Sequence, residues 1–307
     1  MTDSGRTTQR RVLDAVQRLG LWQPGDTVCL AVSGGVDSMV LMHLMHRTQR
    51  AHGAQLSVVS IDHGLRAESG REVGMVEAAA IALNLPFHAV RLNLRPGPNL
   101  AERAREARQN ALRAHGTDWI ATGHHRDDQA ETVLYHLLRG SGMRGLMGMR
   151  AKSGPWVRPL LFEPRTALQQ WAEANGVEWS EDPSNAGSQR GTLRELMPRL
   201  DAVHGGASRA LARSARLLAS EDAWVEALVD DEWAALVDDS GLDRVALASR
   251  HPALQLRLLR RLVASTRVRA EPLESVVSGA LMQGGRLDLG GGLVMVCSGG
   301  RLKVEAP

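Results

Sequence analysis

Val28 to Arg47 reads VCLAVSGGVDSMVLMHLMHR. An apolar run closes at Val32, the six residues Ser33-Gly34-Gly35-Val36-Asp37-Ser38 follow, and apolar residues return at helical spacing at Val40, Leu41, Leu44 and Met45. This order predicts a buried strand, a tight glycine turn and the start of a helix. Backbone N–H groups at a helix N-terminus, approached past small residues, form a cradle for anions. The stretch therefore predicts a site for the phosphates of a nucleotide. It is not the phosphate loop that ends in Gly-Lys-Ser/Thr, because it contains no lysine. Charge must then be neutralised by backbone dipoles, by Mg2+ and by arginines from elsewhere in the chain. Asp37 is the candidate Mg2+ ligand, and Ser33 and Ser38 are candidate hydrogen-bond donors. The plain alternative is a Gly-Gly turn with Asp37 or Ser38 as the helix N-cap.

Outward from this stretch, residues 6–20 predict an amphipathic helix and Leu56 to Ile61 a second buried strand ending at Asp62-His63-Gly64-Leu65-Arg66. Glu72 to Leu83 predicts a helix, Phe87 to Leu92 a strand, and Leu100 to His115 a helix carrying Arg103, Arg105, Arg108 and Arg113. Trp119 to Thr122 predicts a short strand that runs into Gly123-His124-His125. Thr132 to Leu138 continues a helix, Gly140 to Gly148 is a glycine-rich loop, and Trp156 to Leu161 is a candidate fifth strand. Alternating strands and helices predict an α/β fold, a parallel sheet covered on both faces. In such sheets ligands bind beyond the carboxyl ends of the strands. Three polar clusters fall there: SGGVDS, Asp62-His63 and His124-His125.

After Pro164 the pattern turns helical, over Leu168 to Asn175, Arg190 to Leu200 and Ser208 to Ala234, with a polar loop at Glu181-Asp182-Pro183-Ser184-Asn185. Gly284 to Glu305 alternates apolar residues with glycine turns, as a β-hairpin or meander does. The expected division is a catalytic α/β domain over 1–215 and a smaller, mostly helical substrate-binding domain with a short β tail over 216–307.

Composition narrows the class. Of 307 residues 43% are hydrophobic, enough for a real core, and no apolar run is long enough to span a membrane. Met1 to Arg11 is polar, unlike a signal peptide, so a cytoplasmic protein without a membrane partner is expected. Cys29 and Cys297 lie in apolar, strand-like runs, where they pack as small hydrophobes. The net charge of +3 does not argue for a nucleic-acid partner, but its distribution is uneven. Glu221 to Asp243 holds nine acids and no base, and Arg250 to Arg269 six arginines and no acid. The basic segment either faces phosphates or is a solvated face beside its acidic neighbour.

The second cluster with chemistry is GHHRDDQAET, Gly123 to Thr132. Asp127 and Asp128 lie four and three residues before Glu131, so on a helix they share its face. They could grip Mg2+ or orient an amine; the alternative is a capping box with Asp128 as N-cap and Glu131 three residues on. His124 and His125 lack the spaced partners of a zinc site, and a role on phosphate suits them better.

Taken together these motifs carry a resemblance. SGGVDS after a strand resembles the pyrophosphatase loop of the N-type ATP pyrophosphatase (PP-loop) superfamily. SGGVDS, DHGLR from Asp62, GHHRDDQAETVLYHLLRGSGMRGLMGM from Gly123 to Met149, RPLL from Arg158 and EDPSN from Glu181 resemble, in that order, the tRNA(Ile)-lysidine synthetases. The resemblance is strong over roughly residues 26–200 and weaker in the tail, and no counterpart of the further C-terminal domain of longer members is expected. Two departures stand out. Arg108-Gln109 replaces the usual Arg-Tyr, and Arg190-Gly191-Thr192-Leu193-Arg194 the usual Arg-Asn-x-x-Arg.

The resemblance implies an adenine-nucleotide alpha hydrolase-like fold. It implies an enzyme that adenylates the wobble cytidine of tRNA(Ile) with a CAU anticodon and then joins free L-lysine to C2, releasing pyrophosphate and AMP. It implies ATP contacts at Ser33, Gly34, Gly35, Val36, Asp37, Ser38, Asp62, His63 and Gly123, with Mg2+ on Asp37. Catalytic roles fall to Asp37, His124, Asp128 and Glu131, the division between lysine, metal and proton transfer being open. tRNA contacts are expected from Arg103, Arg105, Arg108, Arg139, Arg144, Arg190 and Arg194, and in the tail from Arg257, Arg260 and Arg261. Neither zinc nor an iron–sulfur cluster is expected, and a homodimer is left open. The rival readings are a PP-loop tRNA thiolase and a non-catalytic nucleotide- or RNA-binding protein on the same fold. A thiolase needs reactive or cluster-binding cysteines, which Cys29 and Cys297 do not resemble.

Overall fold

The strand and helix flanking Ser33–Ser38 are β1 (Thr27–Ala31) and α2 (Val36–His52), preceded by α1 (Asp3–Arg18). This computed structural model describes residues 3–62, 64, 69–92, 94–95, 97–181, 189–264 and 268–306, without the side chains of 3–5, 69, 189 and 190. Two compact units divide the chain, Met1–Ala219 and Ser220–Pro307.

In the first unit the alternation continues as β2 (Gln55–Asp62), α3 (Ser69–Ala82), β3 (Phe87–Arg91), α4 (Leu100–Ala114), β4 (Trp119–Thr122) and α5 (Arg126–Leu138). Then come α6 (Met143–Leu146), β5 (Lys152–Ser153), β6 (Trp156–Val157), α7 (Arg165–Ala174), α8 (Gln189–Val203) and α9 (Ala207–Leu236), whose residues beyond 219 belong to the second unit. The sheet order is β3-β2-β1-β4-β6-β5, parallel except for β5. Val28, Cys29 and Leu30 are fully buried, as a central parallel strand requires. One face of the sheet is covered by α1, α2 and α7, with Val12, Leu41, Leu44 and Trp171 in a single core. On the other, Leu112 of α4 packs on Cys29, Val59 and Ile120. α2 is buried almost all round, since it lies between sheet, α1 and α7.

Three local expectations change. The strand expected over 156–161 stops at Val157, because Pro159 has no N–H for the ladder, and residues 158–163 turn instead. The glycine-rich loop contains one helical turn, α6. The helix that continues through Thr132 to Leu138 starts at Arg126, after His125 rather than Asp128 as N-cap.

The second unit holds β7 (Val237–Asp238), β8 (Gly241–Asp243), α10 (Arg244–Ala248), α11 (Pro252–Val263), α12 (Ala270–Val277), β9 (Gly285–Gly290), β10 (Leu293–Ser298) and β11 (Arg301–Glu305). The tail is a meander, extended by β8 and β7 into an antiparallel sheet of order β7-β8-β11-β10-β9. Its core joins Leu242, Leu258, Leu259, Leu273, Met295 and Leu302. Among the described residues no helix is long and apolar enough to cross a membrane.

Candidate active site

β1 pairs with β2 on one side and β4 on the other, with Ala31 opposite Thr122. The loops that leave β1 and β4 therefore emerge side by side, at the point where the strand order reverses. Two glycines make the fit. Gly34 has φ +87°, and a β-carbon there would stand 3.2 Å from Met75 Cε of α3. A β-carbon on Gly123 would stand 3.0 Å from the Asp37 carbonyl, so the β4 exit rests on the first turn of α2.

The SGGVDS loop closes on Ser38. Its buried hydroxyl donates to Gly35 O (2.9 Å) and accepts from the Ser33 N–H (3.1 Å). Ser180 N–H donates to Gly34 O (2.9 Å), and its hydroxyl donates to Glu72 Oε1 (3.1 Å), tying the loop to α3. The N-cap of α2 is Gly35, with no side-chain cap. Neither Asp37 nor Ser38 caps the helix, so the plain capping alternative does not describe this loop.

A capping box does occur at α5, three residues ahead of the one weighed from sequence. His125 is the N-cap: its Nδ1 accepts from the N–H groups of Asp127 (3.2 Å) and Asp128 (3.3 Å), and Asp128 Oδ2 accepts from His125 N–H (3.0 Å). An Nδ1 that accepts two N–H groups keeps its lone pair, which puts the ring proton on Nε2. That nitrogen faces Asp37 Oδ2 at 3.5 Å and Asp128 Oδ2 at 3.4 Å. Burial opposes charge on the ring, but Asp37, Asp128 and Asp127 outweigh it and raise the His125 pKa.

Glu131, one turn on, is 2% exposed and accepts from Arg194 Nε (2.9 Å) and Nη2 (3.4 Å). Arg194 Nη2 also lies 3.9 Å from Asp128 Oδ1. Burial disfavours the guanidinium charge, and Glu131, Asp128 and Asp37 more than restore it, raising its pKa. Asp127 points the other way. It accepts from Arg165 N–H (2.8 Å) and from the Ser208 hydroxyl, fastening α5 to the starts of α7 and α9. Burial pushes its pKa up, but these hydrogen bonds and the charges of His125 and Arg126 leave it lowered. Arg165 Nε stands 3.8 Å from Asp37 Oδ2. Asp37 Oδ1 is buried with no hydrogen-bond partner.

Asp37, Gly123, Asp128 and Glu131 thus come together, joined by the SGGVDS backbone. His124 shares a 2.8 Å hydrogen bond between its Nδ1 and Thr122 Oγ1. Asp62 forms a turn with Gly64 N–H (2.7 Å) and lies 3.7 Å from Arg91 Nε, while His63 is outside the described residues. Arg103 donates to Arg95 O (2.9 Å), Arg105, Arg108 and Arg144 are exposed, and Arg139 donates to the Tyr135 hydroxyl (2.7 Å). The Arg190 side chain and residues 182–188 of the polar loop fall outside the described residues.

Three of the arginines expected at tRNA are engaged within the chain. Arg194 lies within the acid cluster. Arg257 and Arg261 turn to α9: Arg257 Nη1 binds Asp222 Oδ1 and Glu226 Oε1 (2.6 Å each), and Arg261 pairs with Asp230. The reason is proximity of opposite charge, since α11 packs its arginines against the acidic 221–243 stretch in a partly buried setting. Arg260 is half-buried. Sequence reasoning missed His125 as cap and bridge, Asp127 as a tie, and Arg165. Only Arg165 had a signal, the need of a lysine-free loop for an arginine from elsewhere.

No group of three or more His, Cys, Asp or Glu side chains among the described residues is arranged to hold a metal ion. The single unpartnered oxygen of Asp37 suits Mg2+, which takes one or two carboxylates and completes its shell with phosphate and water.

Residues 5–200 match the family described as "PP-loop domain". A tRNA(Ile)-lysidine synthase of Alkalilimnicola ehrlichii is 37% identical over 88% of this chain and 64% of its own length. One of Novosphingobium aromaticivorans is 39% identical over 79% of this chain and 78% of its own length. The chain spans 64%, 63% and 60% of three of the relatives it matches. Among solved structures, the U34-tRNA thiolase NcsA from Methanococcus maripaludis superposes with a TM-score of 0.58 at 20% identity, over 69% of this chain and 79% of that one. That likeness is one of fold.

Proposed function

The chain belongs to the tRNA(Ile)-lysidine synthase family of PP-loop proteins, and on that footing we propose that it joins free lysine to C2 of the wobble cytidine in the CAU anticodon of tRNA(Ile), using ATP. The observation that carries this reading is the juxtaposition of an uncapped phosphate loop at Gly35 with an acid pair, Asp128 and Glu131, that already binds a guanidinium.

The first step has the cytidine O2 attack the α-phosphorus of ATP; the bond to the β-phosphate oxygen breaks and pyrophosphate leaves with the electron pair. The loop amides and the start of α2 offer N–H groups to the phosphates. Asp37 would hold Mg2+, which when bound neutralises phosphate charge. In the second step the lysine amine forms a bond to C2, and AMP departs with the former carbonyl oxygen. That amine must be neutral, and with an ordinary pKa of about 10.4 only roughly one lysine in a few thousand is so at pH 7. Asp128 and Glu131 suit the ammonium by charge, and a carboxylate beside it can take its proton. Since Arg194 now occupies this position, lysine must share the acids with it or displace it. Arg103, Arg105, Arg108, Arg139 and Arg144, together with Arg190 and Arg260, are the arginines we assign to tRNA phosphates. With tRNA and ATP as substrates, the expected place of action is the cytoplasm.

The thiolase alternative is not favoured. Both cysteines are buried, and burial pushes the Cys29 thiol up to about 12, far from a reactive thiolate. The test is incubation of the purified protein with tRNA(Ile) transcript, ATP, Mg2+ and labelled lysine. Label should enter the tRNA only with ATP present, matched by equal AMP and pyrophosphate. Folded protein that binds ATP but transfers no lysine would contradict the reading.

A further inference from the structure

Ser33 to Ser38 contains no lysine, so the phosphates it cradles need a cation from elsewhere in the chain. Arg165 meets that need by position. It is the first residue of α7, after the N-cap Pro164, and its own N–H is held by Asp127 Oδ2 at 2.8 Å. The backbone is thus fixed beside the loop whatever side chain it carries. The guanidinium reaches the cluster, with Nε 3.8 Å from Asp37 Oδ2, too far for a hydrogen bond. Arg165 Nε is a buried donor with no partner, and so is the acceptor Asp37 Oδ1 beside it. An unpartnered buried donor beside an unpartnered carboxylate oxygen offers one group to an anion and the other to a cation. The side chain as a whole is 41% exposed, open to an incoming anion. Arg194, the other arginine of the cluster, already donates its Nε to Glu131. Arg126, Arg158 and Arg244 also keep an unpartnered Nε, but Arg158 is tied to Arg150 O and Arg244 to Val276 O, and among the described residues with such an Nε it is Arg165 that pairs with Asp37.

We infer that Arg165 binds the β- and γ-phosphates of ATP and stays on pyrophosphate as it leaves. This rests on the function proposed above. As O2 of cytidine bonds to the α-phosphorus and the bond to the bridging oxygen breaks, negative charge grows on the departing pyrophosphate. A guanidinium can donate two parallel hydrogen bonds to its oxygens, while Asp37 beside it takes the cation. The pair divides the labour that a loop lysine performs elsewhere.

The full chain is tested as wild type, R165A, R165K and R165Q. Inorganic pyrophosphate is titrated calorimetrically with Mg2+ present, and pyrophosphate release from ATP and tRNA is timed. R165A should weaken pyrophosphate binding at least about tenfold and slow the formation of pyrophosphate from ATP about a hundredfold. The KM for lysine should stay unchanged, and R165K, a point charge without the fork, should recover part of the loss. A folded R165A, or R165Q should R165A not fold, with wild-type pyrophosphate affinity overturns the inference. So does a loss confined to the salt dependence of tRNA binding, which would make Arg165 a tRNA contact. Wild-type protein that binds neither ATP nor pyrophosphate overturns the underlying function instead.

Discussion

His125 does its work with two different nitrogens. Nδ1 caps α5 in place of the usual serine or aspartate, and Nε2 meets Asp37 of one loop and Asp128 of the other. Sequence reasoning could put Asp128 and Glu131 on one helix face because carboxylate spacing is a face argument, and could single out Asp37 from its place in a phosphate loop without lysine. It could not read His125, because histidine is an uncommon cap and nothing in GHHRDD tells which histidine turns inward. Asp127 was legible only as one more acid. Its lowered pKa has a consequence for stability. A carboxyl with an ordinary value of 3.8 and a lower one when folded stabilises the fold fully above 3.8, and the contribution disappears as pH falls through the folded value. Asp127→Asn should therefore be less stable than wild type at neutral pH, and the gap should close below about pH 3.8. Urea unfolding across that range, as far down as wild type stays folded, checks it; a gap independent of pH would contradict the assignment.

At the scale of elements, α2 and the strands flanking it were legible from apolar runs and their spacing. β6 was overestimated because the apolar residues Leu160 and Leu161 continue past Pro159, and they are buried without being strand. β7 and β8 were missed because VDDSGLD is short and acidic, and they are strands only because β11 offers an edge. The arginines of α11 were half legible: the charge asymmetry was visible, but not that α9 and α11 pack together. Arg257 is 14% exposed and its partner Asp222 is fully buried. Arg257→Ala would remove a charged hydrogen-bond donor from that buried carboxylate and should lower stability by about 2 kcal/mol, as for a hydrogen bond to a charged group. Thermal or urea unfolding checks this. Unchanged stability with a reduced salt dependence of tRNA binding would instead support the phosphate-contact role.

For the whole molecule, the order of strands does what no single motif does. The reversal between β2-β1 and β4 brings residues 33–38 and 123–131 to one crevice from about ninety positions apart, and the parallel alternation made that placement legible in advance. Charge completes it: three carboxylates, Asp37, Asp128 and Glu131, face two guanidinium groups, Arg165 and Arg194. An ammonium ion suits that balance. The central claim is that the two motifs divide the reaction, SGGVDS serving adenylation and Asp128 with Glu131 serving lysine. Its most direct test is single-turnover pyrophosphate release from ATP and tRNA(Ile) without lysine, followed by lysine transfer on addition of the amino acid, compared for wild type, Asp37→Asn and Glu131→Gln. Asp37→Asn should lose both phases, whereas Glu131→Gln should keep tRNA-dependent pyrophosphate release near wild type and lose lysine transfer. Equal loss of both phases in folded Glu131→Gln, or lysine transfer by it at the wild-type rate, would contradict the account.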